Sequence, residues 1–331
     1  MSEFFDIGRL SLGANGLIVI VTILVVGVGA HWVVESASRI AKRLGVSELI
    51  IGLTVVALGT SAPEFAVTLT AAFKGQGNIS VGNIVGSNIF NLGFILGGCA
   101  LVRAIPTSPT LLRRDGTVLG GATLLILALI GWDLRLDRYD GALLFVLLGL
   151  YLAFLFKQRY VSAHTDGLRD HGQIGRARSS TQRDGALLFV GLLCIVGGSR
   201  LLVDSATVIA RDLGVSEWII GVTIVAAGTS APELATSLAG VLKGRYAVSA
   251  GNVIGSDIFN LLGVLGLAGM LRPVEIDVMA RISLAALCGM VFLVLLFMRT
   301  GWRVSRLEGL ALVAIAASRW GLDLWPGVPG S

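Results

Sequence analysis

Two six-residue strings hold the polar chemistry of this chain: Gly59-Thr60-Ser61-Ala62-Pro63-Glu64 and Gly228-Thr229-Ser230-Ala231-Pro232-Glu233. Each falls near the middle of a long apolar stretch. A carboxylate there is costly, about 2.5–3.5 kcal/mol on membrane-insertion scales, so two at equivalent places require a compensating partner. No Lys, Arg or His lies in a neighbouring mid-span stretch. The partner is therefore a bound cation or a proton. Pro63 adds to this. It has no N–H, and its ring disfavours the α conformation in the residue before it. The carbonyl of Gly59 loses its helical donor, and carbonyls around Thr60 become available. Thr60 and Glu64, four apart, share one helix face. Alone, Pro63 would read as an ordinary kink; beside a buried Glu, and occurring twice, it reads as part of an ion site.

A second motif follows each string. It runs Gly82-Asn83 to Gly86-Ser87-Asn88-Ile89-Phe90-Asn91, and again Gly251-Asn252 to Gly255-Ser256-Asp257-Ile258-Phe259-Asn260. Ser87 and Asn91, and Ser256 and Asn260, are again four apart and offer neutral oxygens. The glycines equally serve close helix packing. Together the motifs supply the carboxylates of Glu64 and Glu233, six hydroxyls, the amide oxygens of Asn91 and Asn260 and freed carbonyls, all hard donors. With no Cys or His among them, zinc and copper fit poorly. Calcium takes six to eight oxygens at flexible distances, and its charge cancels Glu64 and Glu233; two sodium ions would do the same. A site that either can neutralise, but not both together, is a physical basis for exchange.

The elements that position these residues come from a duplication. Residues 45–98 align with 214–267 at a constant offset of 169, without a gap, and 31 of 54 positions are identical. The similarity extends upstream, where Glu35-Ser36-Ala37 matches Asp204-Ser205-Ala206. Hydropathy predicts ten spans, at 13–36, 47–72, 80–101, 117–133, 140–156, 185–208, 215–241, 249–271, 280–298 and 308–325. Five per copy is odd, so the second copy enters the membrane from the opposite side. An inverted-topology repeat with a site at the midplane is a common plan of secondary transporters. The expected fold is all-α and polytopic: a first half at 1–156, a basic linker at 157–184 and a second half at 185–331.

Composition agrees. Hydrophobic residues make up 54% of the 331, charged residues only 14%, and the mean hydropathy is +0.83. Too few charges remain to cover a soluble core, and disorder and a disulfide scaffold are excluded. Cys99, Cys194 and Cys288 lie in apolar runs and read as inert thiols. The first span is too long, and its leading residues too acidic, for a cleaved signal peptide. Of the 26 basic residues, 17 fall in the connections on the side of Lys157–Asp184 and 9 on the other. The positive-inside rule puts the linker in the cytoplasm and both termini outside. That rule accounts for the net charge of +5, so no nucleic-acid partner is implied.

The paired strings GTSAPE and GS[ND]IFN, in two copies, resemble the alpha-repeats of the cation/calcium antiporter superfamily, and most closely its prokaryotic sodium/calcium exchanger branch. The resemblance spans the ten-span layout. It implies an antiporter of the cytoplasmic membrane, functional as a monomer, with calcium and sodium as transported substrates and no cofactor. It implies calcium at Glu64 and Glu233 with help from Thr60 and Thr229, and sodium sites among Glu64, Ser61, Ser87, Glu233, Ser230 and Ser256. It also implies that the first and sixth helices slide against the rest.

One departure concerns Asp257. Family members often carry Asn there and an acid at the position of Asn260. Residues three apart differ by about 60° around a helix, so Asp257 either reaches the site or faces a neighbouring helix. Asn260 leans against potassium dependence. Three alternatives follow. A calcium/proton antiporter of the same architecture would protonate Glu64 and Glu233 in place of sodium binding. A cation channel would need a continuous pore, against which the single central polar cluster argues. An intramembrane enzyme would need a mid-span base or metal, and no mid-span His exists.

Overall fold

The computed structural model describes residues 11–165, 174–214, 226–276 and 278–323. These form eleven helices, α1 (Leu12–Leu44), α2 (Glu48–Thr60), α3 (Ala62–Phe73), α4 (Gly77–Val102), α5 (Thr117–Asp133), α6 (Arg138–Thr165), α7 (Ile174–Asp212), α8 (Ala231–Leu242), α9 (Tyr246–Leu271), α10 (Val278–Arg299) and α11 (Arg306–Asp323). A short turn, Ala226–Thr229, precedes α8. The ends of α1 show why the chain starts and stops there. Ser11 Oγ accepts from the Ala14 amide, and Gly45 closes the helix at φ 64°, beside Lys42 and Arg43 in the last turn. Side-chain acceptors suit helix starts, and glycine and cations suit helix ends.

Among the described residues, seven helices are long and apolar enough to cross a bilayer, and an eighth counts if α2 and α3 form one span. Ten spans were expected. The seventh, 215–241, begins at residues 215–225, which lie outside the described residues. The tenth, 308–325, is helical as α11, but its four charges, Arg306, Glu308, Arg319 and Asp323, keep it out of that set. The second span is bent by 51° at Ser61, where Pro63 enters α3 in its first turn. The missing N–H costs nothing at that position.

Much of the basic segment 157–184 is helical. Helix continues through Thr165 on one side and begins at Ile174 on the other, so only 166–173 lie outside the described residues. Asp184 is buried rather than solvated, and holds Arg39 Nε at 2.8 Å and Arg43 Nη1 at 2.6 Å. An apolar helix facing lipid can carry such a group only when it is paired.

Packing between helices of the two copies is close. A Cβ at Gly251 would stand 2.8 Å from the Leu49 carbonyl, and one at Gly255 only 2.7 Å from the Leu53 backbone. Thus α2 and α9 touch through their main chains, running parallel. By contrast α1 and α7 cross antiparallel, Gly29 against Gly191 and Thr22 against Gly198. Two short antiparallel ladders join the halves: β1 (Ile105–Pro106) with β4 (Arg303–Val304), and β2 (Arg135–Leu136) with β3 (Val274–Glu275). The core runs through the centre, with Leu53, Ile84, Leu92, Ile254, Leu261 and Val264 fully buried. Outside it, Leu17, Leu24, Phe189, Leu193 and Leu296 are exposed. An apolar girdle of this kind belongs in hydrocarbon rather than water.

Candidate ion-binding site

The bend at Ser61 and its counterpart at Ser230 aim two carboxylates at one centre. Ser61 Oγ donates to Glu233 Oε1 at 2.8 Å, and Ser230 Oγ donates to Glu64 Oε1 at 3.0 Å. Each hydroxyl therefore serves the carboxylate of the other copy. Ser256 adds a second donor to Glu233 Oε1 at 3.2 Å, and its counterpart Ser87 stands near Glu64. Thr60 Oγ1 lies 3.4 Å from Ser256 Oγ and 3.1 Å from Asn252 Oδ1.

Behind the carboxylates stand two asparagines that the sequence reading quoted but did not place in the site. Asn83 Nδ2 reaches the Glu64 carbonyl at 3.4 Å and Thr68 Oγ1 at 2.9 Å. Asn252 repeats this on the Glu233 carbonyl at 3.3 Å and Ser237 Oγ at 3.0 Å. They clamp the first turns of α3 and α8. Their identity across the 169-residue offset was the available signal.

A third layer lies where α4 meets α9. Asn91 Nδ2 donates to Asp257 Oδ1 at 2.9 Å, Asn88 Nδ2 to the Asp257 carbonyl at 3.2 Å, and Asn260 Nδ2 to Asn88 Oδ1 at 3.0 Å. Asn91 and Asn260 thus spend their amide nitrogens on the facing helix, while their Oδ1 atoms remain buried and unpartnered. Asp257 is fully buried at this junction, and Asn88 is a residue of the cluster that sequence did not single out. Wide π-helical turns at Asn91–Leu96 and Phe259–Val264 continue α4 and α9 just past these residues. Such turns are common at functional sites.

Glu64 and Glu233 have no solvent exposure, and Glu64 Oε2, Glu233 Oε2 and Asp257 Oδ2 have no hydrogen-bond partner. Among the described residues no Lys, Arg or His pairs with any of them. Buried carboxylate oxygens are rarely left without a partner, which makes these the candidate positions for a cation. Thr229 is only half-buried; with Gly228 it lines a cleft of about 780 Å³ between α3 and α7. Of the sequence-predicted residues, Thr60, Ser61, Glu64, Ser87, Ser230, Glu233 and Ser256 meet at the centre. Asn91, Asp257 and Asn260 form the adjoining layer, and Thr229 stands at the edge.

The chain matches the sodium/calcium exchanger protein family over residues 15–157 and 185–317. It is 39% identical over 288 residues to the putative antiporter CaxA of Alkalimonas amylolytica, covering 85% of this chain and 89% of that one. It is 31% identical over 336 residues to the sodium/calcium exchanger MaX1 of Methanosarcina acetivorans, covering 90% and 95%. Its fold resembles the solved sodium-calcium exchanger NCX_Mj with a TM-score of 0.81 at 29% identity, over 94% of this chain and 99% of that one. These relatives are transporters, not enzymes. This multi-pass membrane chain belongs to the sodium/calcium exchanger protein family.

Proposed function

We propose that the protein is a secondary antiporter that exchanges calcium for sodium by alternating access. The observation that carries this reading is the carboxylate pair: each has one oxygen held by a serine of the opposite copy and one oxygen left without a partner. One calcium ion neutralises both; two sodium ions, spread over the carboxylates and the hydroxyls of Ser61, Ser87, Ser230 and Ser256, do so equally. Hydroxyls and carboxylates are the donors that both ions prefer. Thr60 and the carbonyls freed by Pro63 and Pro232 complete the calcium shell, with Thr229 at the entry. Asn91, Asn260 and Asp257 form the sodium-tuning layer.

The ten-span, inverted arrangement belongs to the same proposal. The antiparallel crossing of α1 and α7 supports it, because equivalent helices of an inverted repeat run in opposite senses. The basic segment 157–184 is cytoplasmic, both termini are outside, and one chain suffices for exchange in the cytoplasmic membrane.

A second reading, exchange of calcium for protons, is favoured by Asp257, a third buried carboxylate with an orphan oxygen. Proteoliposomes separate the two. Calcium uptake driven by an imposed sodium gradient, and not by a proton gradient of equal size, is the expected result. Uptake driven only by protons would replace sodium with the proton, and uptake without any gradient would indicate a channel.

A further inference from the structure

The two copies are not in the same condition at their two ends. At the end of α1, Glu35 Oε1 accepts from Lys243 Nζ at 3.0 Å, a pair only 31% and 20% exposed. Lys243 follows α8, so the pair ties α1 to the α8–α9 turn. Around it Arg245 pairs with Glu48 at 3.0 Å, Ser38 also bonds Glu48, and Arg39 and Arg43 hold Asp184. This end is zipped shut.

The offset of 169 gives the counterparts: Asp204 for Glu35 and Lys74 for Lys243. Acid and base are both kept, yet the bond is not made. Lys74 is exposed, and it forms no ion pair among the described residues. Asp204 is 50% exposed, and among the described residues its one ion-pair contact is Arg200, at 4.0 Å. Between them lies the cleft, lined by Pro63, Thr70 and Gln76 on one side and by Ser199, Arg200 and Asp204 on the other. It extends to Thr229, next to Ser230, whose hydroxyl holds Glu64.

We propose that Glu35–Lys243 and Asp204–Lys74 are alternating latches. The first holds α1 down on α8 and closes one end of the site. The second holds α7 down on the turn after α3 and closes the other end. Each forms as the other breaks, so Lys74 and Asp204 are positioning residues for the state in which the cleft has closed. Asp204, half-exposed on the cleft wall with a 4.0 Å contact to Arg200, and Lys74, without an ion pair among the described residues, are matched by internal symmetry to a formed pair, and that match carries the inference. The inference rests on the antiport reading above.

Charge reversal tests it, in the full-length protein in proteoliposomes. Lys74→Glu should lower calcium exchange about fivefold, close to the upper limit for an exposed ion pair. Adding Asp204→Lys should restore at least half of the lost rate, and Lys74→Arg should keep it. Lys74→Glu should also raise the labelling, by an impermeant thiol reagent, of a cysteine placed at Thr70 in the cleft, because the cleft closes less often. Lys243→Glu, with rescue by Glu35→Lys, should lower that labelling instead. If Lys74→Glu exchanged at the wild-type rate with unchanged labelling, the latch would be refuted. Loss of rate without rescue by Asp204→Lys, in a protein that still purifies as a stable monodisperse species, would refute it as well. A wild-type protein that exchanged nothing would instead strike the antiport reading, and the labelling comparison would still decide the latch.

Discussion

Replacing Glu64 or Glu233 by Gln keeps the shape and one oxygen but removes a unit of charge. Ser230 and Ser61 can still donate to the remaining carbonyl oxygen, so the local geometry holds. A calcium ion would then sit with surplus positive charge in a buried site, where an uncompensated charge costs several kcal/mol. At about 1.4 kcal/mol per tenfold, each variant should lose roughly a hundredfold or more in calcium affinity and nearly all exchange. Thermal stability without ions should be kept or improved, and calcium should cease to raise the melting temperature. Near wild-type exchange by either variant would sink the two-carboxylate site. Asp257→Asn makes the same kind of change in the adjoining layer. Its Oδ1 can still accept from Asn91, so only the charge goes. Calcium binding should persist, while the sodium or pH dependence of exchange shifts; isothermal titration and flux assays on the folded variant check this, and abolished calcium binding would contradict it.

Helix contacts set where those residues stand, and one glycine tests this directly. A Cβ at Gly255 would sit 2.7 Å from the Leu53 Cα and carbonyl oxygen, main-chain atoms that cannot turn aside. Gly255→Ala should push α9 off α2 and destabilise by about 1–3 kcal/mol, seen as a lower melting temperature and weaker calcium binding. Gly82, in the equivalent motif stretch of α4, has nothing within 4 Å of its missing Cβ. Gly82→Ala should be neutral or stabilising by up to about 1 kcal/mol, the helix-propensity gain. Equal destabilisation by both would show that backbone contact is not the cause. The contrast also shows what sequence could and could not reveal. Alignment of the copies found both glycines, both carboxylates and the proline bend, because each is repeated and each has a local physical reason. It could not say which glycine faces a backbone. The π-helical turns escaped it too, since tertiary packing rather than composition widens a helix. Asp184 read as linker because its partners, Arg39 and Arg43, lie some 140 residues away. The Asn88–Asp257 contact lay outside reach for the same reason: it crosses between copies.

At the scale of the whole chain, the 17-to-9 division of basic residues predicts that a cysteine at Ser179 is shielded from an impermeant thiol reagent in right-side-out vesicles and labelled in inside-out ones. Labelling from outside would reverse the orientation. The β1–β4 and β2–β3 ladders and the crossed serine–carboxylate bonds tie the two copies into one unit, so neither half contains a finished site. The Ser230 hydroxyl is 166 residues downstream of the carboxylate it serves. At ribosomal speeds of about 5–20 residues per second, that interval is roughly ten to thirty seconds. Throughout it Glu64 is in a nascent chain with neither its hydroxyl nor the opposing carboxylate, and no ion can be held between them. The order of synthesis therefore leaves the first half without the hydroxyl and carboxylate that the second half contributes.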